Sequence, residues 1–311
     1  MISVIVPLYN KELFVAQTIH SVLNQTFDHF EILVINDGST DSSLEVVSTI
    51  KDERLRIISI ENSGVSVARN TGIEHAKYDW IAFLDADDWW APTFISDIKK
   101  AMNNFTNQFI FATGRSRVFN KETERYSHTF LPENGATEAL NYFQIISKYL
   151  PPINSSNVVI HKNLFHENGY FKEGQLKHED HDLWLRLCIE NEVIFINKPL
   201  SFYRKTEADS ASNSHYNASD FLLYLNTIKG VYDQLSETNK HYLKMYANRF
   251  TALTYLKNYK NYTSVERDTL NPFLNFFCEG NYRSAIRISR TLPFSIYPFL
   301  KLLQLKWKKE R

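Results

Sequence analysis

The sequence lacks several features that define well-known protein classes. Only two of its 311 residues are cysteine, Cys188 and Cys278, and both lie in apolar, helix-like contexts. They indicate neither a disulfide framework nor a zinc site and favour a reducing compartment, for which we expect the cytoplasm. Neither sign of charge is in excess, since 35 basic residues balance 35 acidic ones. We therefore expect no nucleic-acid partner.

Long hydrophobic runs are also missing. No uninterrupted apolar stretch reaches the roughly 20 residues that a membrane-spanning helix needs. Residues 1–7 carry no basic segment and their apolar run is too short for a signal peptide, so we expect none. The sequence predicts a protein that is soluble or peripherally bound to a membrane, with one large domain or two modest ones.

Two phosphate-binding loops are absent, and a regular alternation of elements stands in their place. No Gly-x-Gly-x-x-Gly follows the first apolar run and no Gly-rich Lys-Ser/Thr loop occurs, which disfavours a Rossmann dinucleotide domain and a P-loop nucleotidase. Apolar strands alternating with amphipathic helices predict an α/β fold with a mainly parallel sheet covered on both faces. The predicted strands are 2–8, 30–35, 55–60 and 80–84; the predicted helices are 11–24, one starting at residue 41 or 42, and 64–76.

The rest of the chain predicts a mixed continuation of the sheet and then a helical region. The strand signal disappears beyond Asn217, so we place a boundary in the polar segment 209–215 and expect domains at 1–215 and 216–311. The predicted elements are strands 109–118, 157–160, 193–196 and 201–204 and helices 180–190, 221–234, 242–259 and 282–290.

The most informative segment is 80–90, where a buried strand delivers Asp85, Asp87 and Asp88 at its C-terminal end. Crowded anions beside a hydrophobic strand do not stabilise a fold unless a cation compensates them. Carboxylate oxygens suit Mg²⁺ or Mn²⁺, and ligands bind at the carboxyl ends of strands in open α/β sheets. The segment predicts a metal site, and the alternative is an ordinary Asp-rich turn.

Five ordered segments within about the first 205 residues together resemble glycosyltransferase family 2, the inverting enzymes of GT-A fold. The resemblance implies a nucleotide-sugar-binding fold with a mixed, mainly parallel sheet flanked by helices, here the catalytic domain 1–215. The segments are Ile5-Val-Pro-Leu-Tyr-Asn10, Val34-Ile-Asn-Asp-Gly-Ser-Thr-Asp41, Asn62-Ser-Gly-Val-Ser-Val-Ala-Arg-Asn-Thr-Gly72, Phe83-Leu-Asp-Ala-Asp-Asp88 and Glu179-Asp-His-Asp-Leu-Trp-Leu-Arg186.

The resemblance implies donor-binding roles at the ends of the first strands. Pro7 and Tyr9 would hold the nucleobase, with the Tyr9 ring as its aromatic face, unless Tyr9 is simply packed in a turn. Asp37 would accept a hydrogen bond from the base or ribose, the alternative being a helix-capping turn. Asn62 would shape the next loop, and Arg69 would face phosphate or base unless it is a solvated surface residue.

The same resemblance implies a metal and a general base. Asp85 would contact the ribose or the metal's water shell, and Asp87 would ligate the Mn²⁺ or Mg²⁺ that bridges the two phosphates. Asp180 would take the proton of the acceptor hydroxyl, and Glu179 would orient the acceptor or Asp180. The alternative for these two acids is a favourable interaction with the helix dipole.

One segment departs from the family pattern. Many members carry Tyr-Arg-x-His after the helix that bears the general base, whereas this chain has Tyr203-Arg-Lys-Thr206. Thr206 therefore stands where the histidine would be. Arg204 remains available for phosphate. A third protein ligand to the metal is thereby left in doubt.

The resemblance leads to a specific expectation about function. We expect inverting transfer of a hexosyl or N-acetylhexosaminyl group from a UDP-linked donor to a glycan or lipid-linked acceptor, in surface polysaccharide biosynthesis. One alternative is a nucleotidyltransferase, which would need a Gly-rich, basic loop after the first strand. Another is a non-catalytic assembly subunit, against which the joint presence of Asp85, Asp87 and Asp180 argues.

The C-terminal stretch 283–311 mixes basic residues with large apolar ones. This composition predicts an interfacial helix in peripheral contact with an anionic membrane, on its cytoplasmic face. The alternative is a helix packed on the protein with a solvated basic tail.

Overall fold

The computed structural model describes residues 1–120, 122–205 and 216–290. The chain divides into two compact units, one made of 1–145 with 149–211 and the other of 146–148 with 212–311. We call the second the helical unit. The predicted boundary segment 209–215 lies outside the described residues, so the division at residue 215 stays a prediction.

The first unit begins with the predicted alternation of strands and helices. Four strands lie parallel in the order β3-β2-β1-β4. Strand β2 is buried throughout, as expected for a parallel sheet covered on both faces. The elements are β1 (Ile2–Leu8), α1 (Val15–Leu23), β2 (Phe30–Asp37), α2 (Ser43–Thr49), β3 (Leu55–Ile60), α3 (Val65–His75) and β4 (Trp80–Phe83).

The sheet then continues with strands of both directions. Strand β9 pairs antiparallel with β4 and β6, β6 and β10 pair in parallel, and the short β5 closes the order β4-β9-β6-β10-β5. This mixed, mainly parallel sheet flanked by helices confirms the predicted fold class. The elements are β5 (Trp89–Trp90), α4 (Phe94–Asn104), β6 (Ile110–Phe119), β7 (Glu122–Arg125), β8 (Thr137–Leu140), α5 (Tyr142–Lys148), β9 (Val158–His161), α6 (Asn163–Asn168), α7 (Glu179–Leu187) and β10 (Val193–Arg204).

Two sequence-based boundaries were wrong for reasons of tertiary contact. The strands predicted at 193–196 and 201–204 are one strand, β10, whose register against β6 shifts around Pro199. Gly114 permits this close pairing, because a Cβ there would lie 2.7 Å from the carbonyl oxygen of Lys198. The helix predicted from residue 11 begins only at Val15, and the Lys11 N–H in the turn before it donates to Ser43 Oγ at 2.7 Å.

The helical unit contains α8 (Ala218–Gln234), α9 (Glu237–Asn258), α10 (Ser264–Phe277) and α11 (Gly280–Ser289), with a short 3-10 helix at Tyr259–Asn261. Residues 216–290 contain no strand, which confirms the predicted helical character. Side chains of Asn217, Ser236 and Thr263 cap α8, α9 and α10 by accepting backbone N–H groups. None of the helices that the structure describes is both long and apolar enough to cross a membrane.

Candidate functional site

The site lies at the carboxyl ends of β1, β2 and β4, where the loops that follow these strands meet. The loop after β1 is tied to the loop after β2 by Asn10, whose Oδ1 accepts the Thr40 N–H at 2.8 Å. Asn10 adopts a positive φ of 51°, a conformation that asparagine tolerates better than most residues. Pro7 pairs with Ile35 inside the sheet, and the Tyr9 ring beyond it is 46% exposed. Tyr9 is therefore not a packed core residue and is accessible to a ligand.

Asp37, the last residue of β2, organises the loop that starts α3. Its two carboxylate oxygens accept the N–H groups of Ser63 (2.7 Å) and Gly64 (2.9 Å), and its carbonyl accepts the Asn62 side-chain amide at 3.0 Å. Gly64 has a φ of 91°, which favours glycine. The structure thus gives Asp37 and Asn62 loop-forming contacts, and a direct contact of Asp37 with a nucleobase or ribose stays a prediction.

The three carboxylates after β4 have different environments. Asp85 pairs with Arg69 at 2.9 Å and Asp87 with Lys11 at 2.7 Å, and both side chains remain partly exposed, at 35% and 25%. Asp88 is buried, with Oδ2 accepting the Ser156 hydroxyl at 2.6 Å and Oδ1 accepting the Arg204 N–H at 3.0 Å. Burial, reinforced by the charges of Asp85 and Asp87, raises the pKa of Asp88 well above its usual value. Asp88 therefore fastens the turn, and Asp85 and Asp87 are the groups that a cation can reach.

The carboxylate oxygens of this turn are ligands of the kind that Mg²⁺ and Mn²⁺ prefer. Within the described ranges, no three His, Cys, Asp or Glu side chains converge as a self-sufficient metal cage. Two adjacent, partly exposed carboxylates are what Mg²⁺ or Mn²⁺ uses when substrate phosphates and water complete its coordination. Burial and the charge of Asp87 raise the pKa of Asp85, although Arg69 opposes this. A bound cation would relieve this repulsion between the two aspartates.

Glu179 and Asp180, the two acids predicted to include the general base, lie at the start of α7. Burial and the neighbouring charge of Asp180 raise the pKa of Glu179 to about 7. Burial alone would raise the pKa of Asp180 too, but nearby His181 and Arg69 outweigh it and hold that pKa below its usual value. The Asp180 Oδ1 accepts the N–H of His181 at 2.7 Å. Asp180 is thus the more fully ionised member of the pair at neutral pH, and its role as general base stays a prediction.

Arg69 connects the turn that carries Asp85, Asp87 and Asp88, which we call the carboxylate turn, to α7, which we call the base helix. Its Nη2 donates to Asp85 Oδ1 at 2.9 Å and its Nη1 to Glu179 Oε1 at 3.0 Å, while the side chain is only 4% exposed. Burial acts to lower the pKa of Arg69, but the two carboxylates outweigh it and raise the pKa above its usual value. The alternative of a solvated surface arginine was wrong. Its contact with phosphate or base stays a prediction.

Arg204 ends β10 beside the same turn, as its predicted role requires. Its Nε donates to the Asp87 carbonyl at 3.1 Å, and its guanidinium lies 4.7 Å from the Trp89 ring centroid and 4.8 Å from that of Phe14. Thr206, which stands where the family histidine would be, lies outside the described residues.

Sequence reasoning missed two residues that hold the site together. The Ser156 hydroxyl accepts the Asp85 N–H at 3.2 Å while donating to Asp88, yet no local pattern distinguishes this serine. Asp182 is fully buried and pairs with Lys172 and Arg186, both at 2.9 Å. The i, i+4 spacing of Asp182 and Arg186 was a signal that could have identified this second pair.

Comparisons with known proteins show what the chain is similar to. Residues 3–167 match the family model of glycosyl transferase family 2. An uncharacterized glycosyltransferase of Rickettsia felis is 37% identical over 204 residues, which cover 65% of this chain and 33% of that protein. TuaG of Bacillus subtilis, named for teichuronic acid biosynthesis, is 29% identical over 220 residues, covering 68% of this chain and 82% of TuaG.

The chain spans about a third of the length of the Rickettsia relatives that it matches. Among solved structures, residues 1–349 of TarS from S. aureus in complex with UDP-GlcNAc superpose with a TM-score of 0.72 at 19% identity, covering 93% of this chain and 87% of that one. This likeness shows the fold.

Proposed function

Since the chain belongs to glycosyl transferase family 2, we propose that it moves a sugar from a nucleoside-diphosphate donor to a hydroxyl of a glycan or lipid-linked acceptor. One observation carries the proposal: buried Arg69 contacts both Asp85, in the carboxylate turn, and Glu179, beside Asp180. One guanidinium group thus contacts both the turn that we propose to bind a cation and the residue next to the proposed general base, which supports the proposal. Separate donor and acceptor groups could meet there.

A UDP-linked hexose or N-acetylhexosamine is the donor that we propose. Solved TarS structures of the same fold hold UDP-GlcNAc and UDP. The exposed Tyr9 ring offers a face on which a base can stack, and Asp37, which contacts Asn62, ends the neighbouring strand β2. The name of TuaG supports a role in surface polysaccharide biosynthesis.

The proposed mechanism is a single displacement with inversion. Asp85 and Asp87 would hold Mn²⁺ or Mg²⁺, which neutralises charge on the departing diphosphate. Arg204 would add a positive charge beside the phosphates. Asp180 would take the proton from the acceptor hydroxyl as its oxygen attacks the anomeric carbon from the face opposite the leaving group.

A panel of nucleotide sugars tests the donor proposal. We expect a UDP-sugar to raise the melting temperature only when Mn²⁺ or Mg²⁺ is present, because a ligand at 100 times its Kd adds about 2.7 kcal/mol to the free energy of unfolding. The same UDP-sugar should release UDP when an acceptor is added. Release of pyrophosphate from a nucleoside triphosphate and a sugar phosphate would instead show a nucleotidyltransferase. Binding without any turnover would show a non-catalytic subunit.

We further propose peripheral contact with the cytoplasmic leaflet through residues 283–311. Most of this stretch lies outside the described residues. In the part that is described, Arg283 donates to the carbonyls of Cys278 (2.8 Å) and Asn275 (2.7 Å), so this residue is tied to the helical unit itself. Removal of the residues after Pro293 should abolish co-sedimentation with anionic liposomes. Unchanged co-sedimentation would contradict the proposal.

A further inference from the structure

Asn70, next to Arg69 on α3, holds the backbone of the segment that leads into the base helix. Its Nδ2 donates to the Phe171 carbonyl at 2.9 Å, and its Oδ1 accepts the Phe171 N–H at 3.0 Å. The side-chain amide thus satisfies both backbone groups of Phe171, as a neighbouring strand would. Asn70 is 7% and Phe171 2% exposed, so water does not readily replace these bonds.

The side chain of Phe171 is also packed against its neighbours. Its ring lies 5.4 Å from that of Phe83 at the end of β4 and 6.0 Å from that of Trp184 on α7, edge to face in both cases. The guanidinium of Arg69 lies 5.2 Å from the same ring. Phe171 therefore contacts residues of α3, β4 and α7.

The segment around Phe171 is also bound tightly to α7. Asp182, in the first turn of α7, pairs with Lys172, and it pairs with Arg186 one turn later. Arg186 in turn donates to the carbonyls of three residues of this segment, which are Asn168, Gly169 and Tyr170. Residues 168–172 are consequently bound to α7, and Asn70 links this segment to α3.

Arg69 and Asn70 connect α3 to two different places, Glu179 at the start of α7 and Phe171 in the segment before it. Arg69 contacts the carboxylate turn and Glu179, whereas Asn70 contacts the backbone behind the base helix. Arg69 links α3 to α7 at Glu179, and the buried side chains of Leu183 and Trp184 pack α7 into the core. Asn70 adds a second link from α3, to the segment that is bound to α7.

We infer that Asn70 is a positioning residue for transfer, which sets the place of Asp180 relative to the donor held at Asp85 and Asp87. This inference rests on the proposed function. Asn70 touches neither substrate nor metal in this arrangement, and it acts through α7. A general base must lie within hydrogen-bond reach of the proton that it takes, and a displacement of about 1 Å can lower a rate by roughly 10²-fold.

The first test compares substitutions of Asn70 with a substitution beyond the C-terminal end of α7. Asn70→Ala removes both bonds to Phe171, and Asn70→Asp keeps the size but sets a carboxylate oxygen against the Phe171 carbonyl. Asn191→Ala is the matched control, because Asn191 donates to the carbonyl of Leu187 at 2.9 Å, at the far end of the same helix. We expect kcat to fall by about 10- to 100-fold in both Asn70 variants with donor Kd unchanged, and both to stay normal in Asn191→Ala.

The second test combines each Asn70 variant with Asp180→Asn. If Asn70 acts through the base, its substitution should have little further effect on kcat once Asp180 cannot accept a proton. Losses that multiply in the double variant would overturn the inference, as would wild-type kcat in the Asn70 variants. Should Asn70→Ala fail to fold, Asn70→Asp, with its near-native volume, carries both tests.

Failure of the proposed function would be recognised separately. In that case the wild-type protein would release no UDP from any donor, or Asp180→Asn alone would leave turnover unchanged. Failure of the positioning role leaves wild-type activity and the Asp180→Asn defect intact.

Discussion

Asp180→Asn is expected to lower the rate of sugar transfer by about 10²–10⁴-fold, the usual contribution of a positioned general base. The amide keeps the size of the side chain and can still accept the His181 N–H, but it cannot take a proton from the acceptor hydroxyl. Donor affinity should change little, because Tyr9 and Asp87 lie elsewhere in the site. Since the lost interaction belongs to the transition state, kcat and kcat/KM should fall together.

Glu179→Gln is the control for this experiment. In the proposed mechanism Glu179 orients the acceptor or Asp180 and takes no proton itself, so Glu179→Gln should lower kcat less than Asp180→Asn. Because burial and the charge of Asp180 raise the pKa of Glu179 to about 7, wild-type activity should rise with pH through about 7 as Glu179 ionises and pairs with Arg69, and this rise should disappear in Glu179→Gln. Near-normal turnover in Asp180→Asn would contradict the assignment, and a larger defect in Glu179→Gln would show that the two roles are exchanged.

Asp87→Ala should remove most activity together with the response to divalent cations. The diphosphate would lose one of the two carboxylates proposed to hold its cation, and the Lys11 ammonium, 2.7 Å from Asp87, would supply only a single positive charge in place of a divalent ion. Titration of transfer activity with Mn²⁺ measures the effect. A wild-type response to Mn²⁺ in this variant would show that Asp87 is not the ligand.

Asp88→Asn provides the matched control in the same turn. Asp88 is buried against Ser156 and the backbone of Arg204, and its raised pKa means that its carboxyl group is more readily protonated than an ordinary aspartate. An amide of the same size should therefore preserve the Mn²⁺ response. A loss of that response would show that Asp88, too, belongs to the cation site.

The parallel half of the sheet could be predicted because its pattern is local. Strands β1 and β2 are largely apolar, and distinctive residues mark where they end, Tyr9 directly after β1 and Asp37 as the last residue of β2. Strands β5 and β7 have two and four residues, too few to establish a periodicity. Helix α4 could have been identified from the helical spacing of its buried residues Phe94, Ile98 and Ala101.

The candidate site was predictable as a set of residues but not as a set of contacts. Motifs indicated Arg69, Asp85 and Glu179, yet no local signal shows that one guanidinium lies between the two carboxylates. Ser156 and Asn70 are ordinary polar residues in the sequence, and their importance comes from partners far along the chain. Such contacts depend on tertiary packing, which overrides local pattern.

The contacts of α3 with the base region also describe how the site is assembled along the chain. Asn70 and Phe171 are separated by 101 residues, and Arg69 and Glu179 by 110. Asp85 and Arg69, by contrast, are only 16 residues apart. Closing a long loop costs more chain entropy than closing a short one. The contacts Asn70–Phe171 and Arg69–Glu179 therefore belong to the non-local, slower part of folding. The proposed site is consequently complete only in the finished fold, even though four of the five motifs are carried by the first 88 residues.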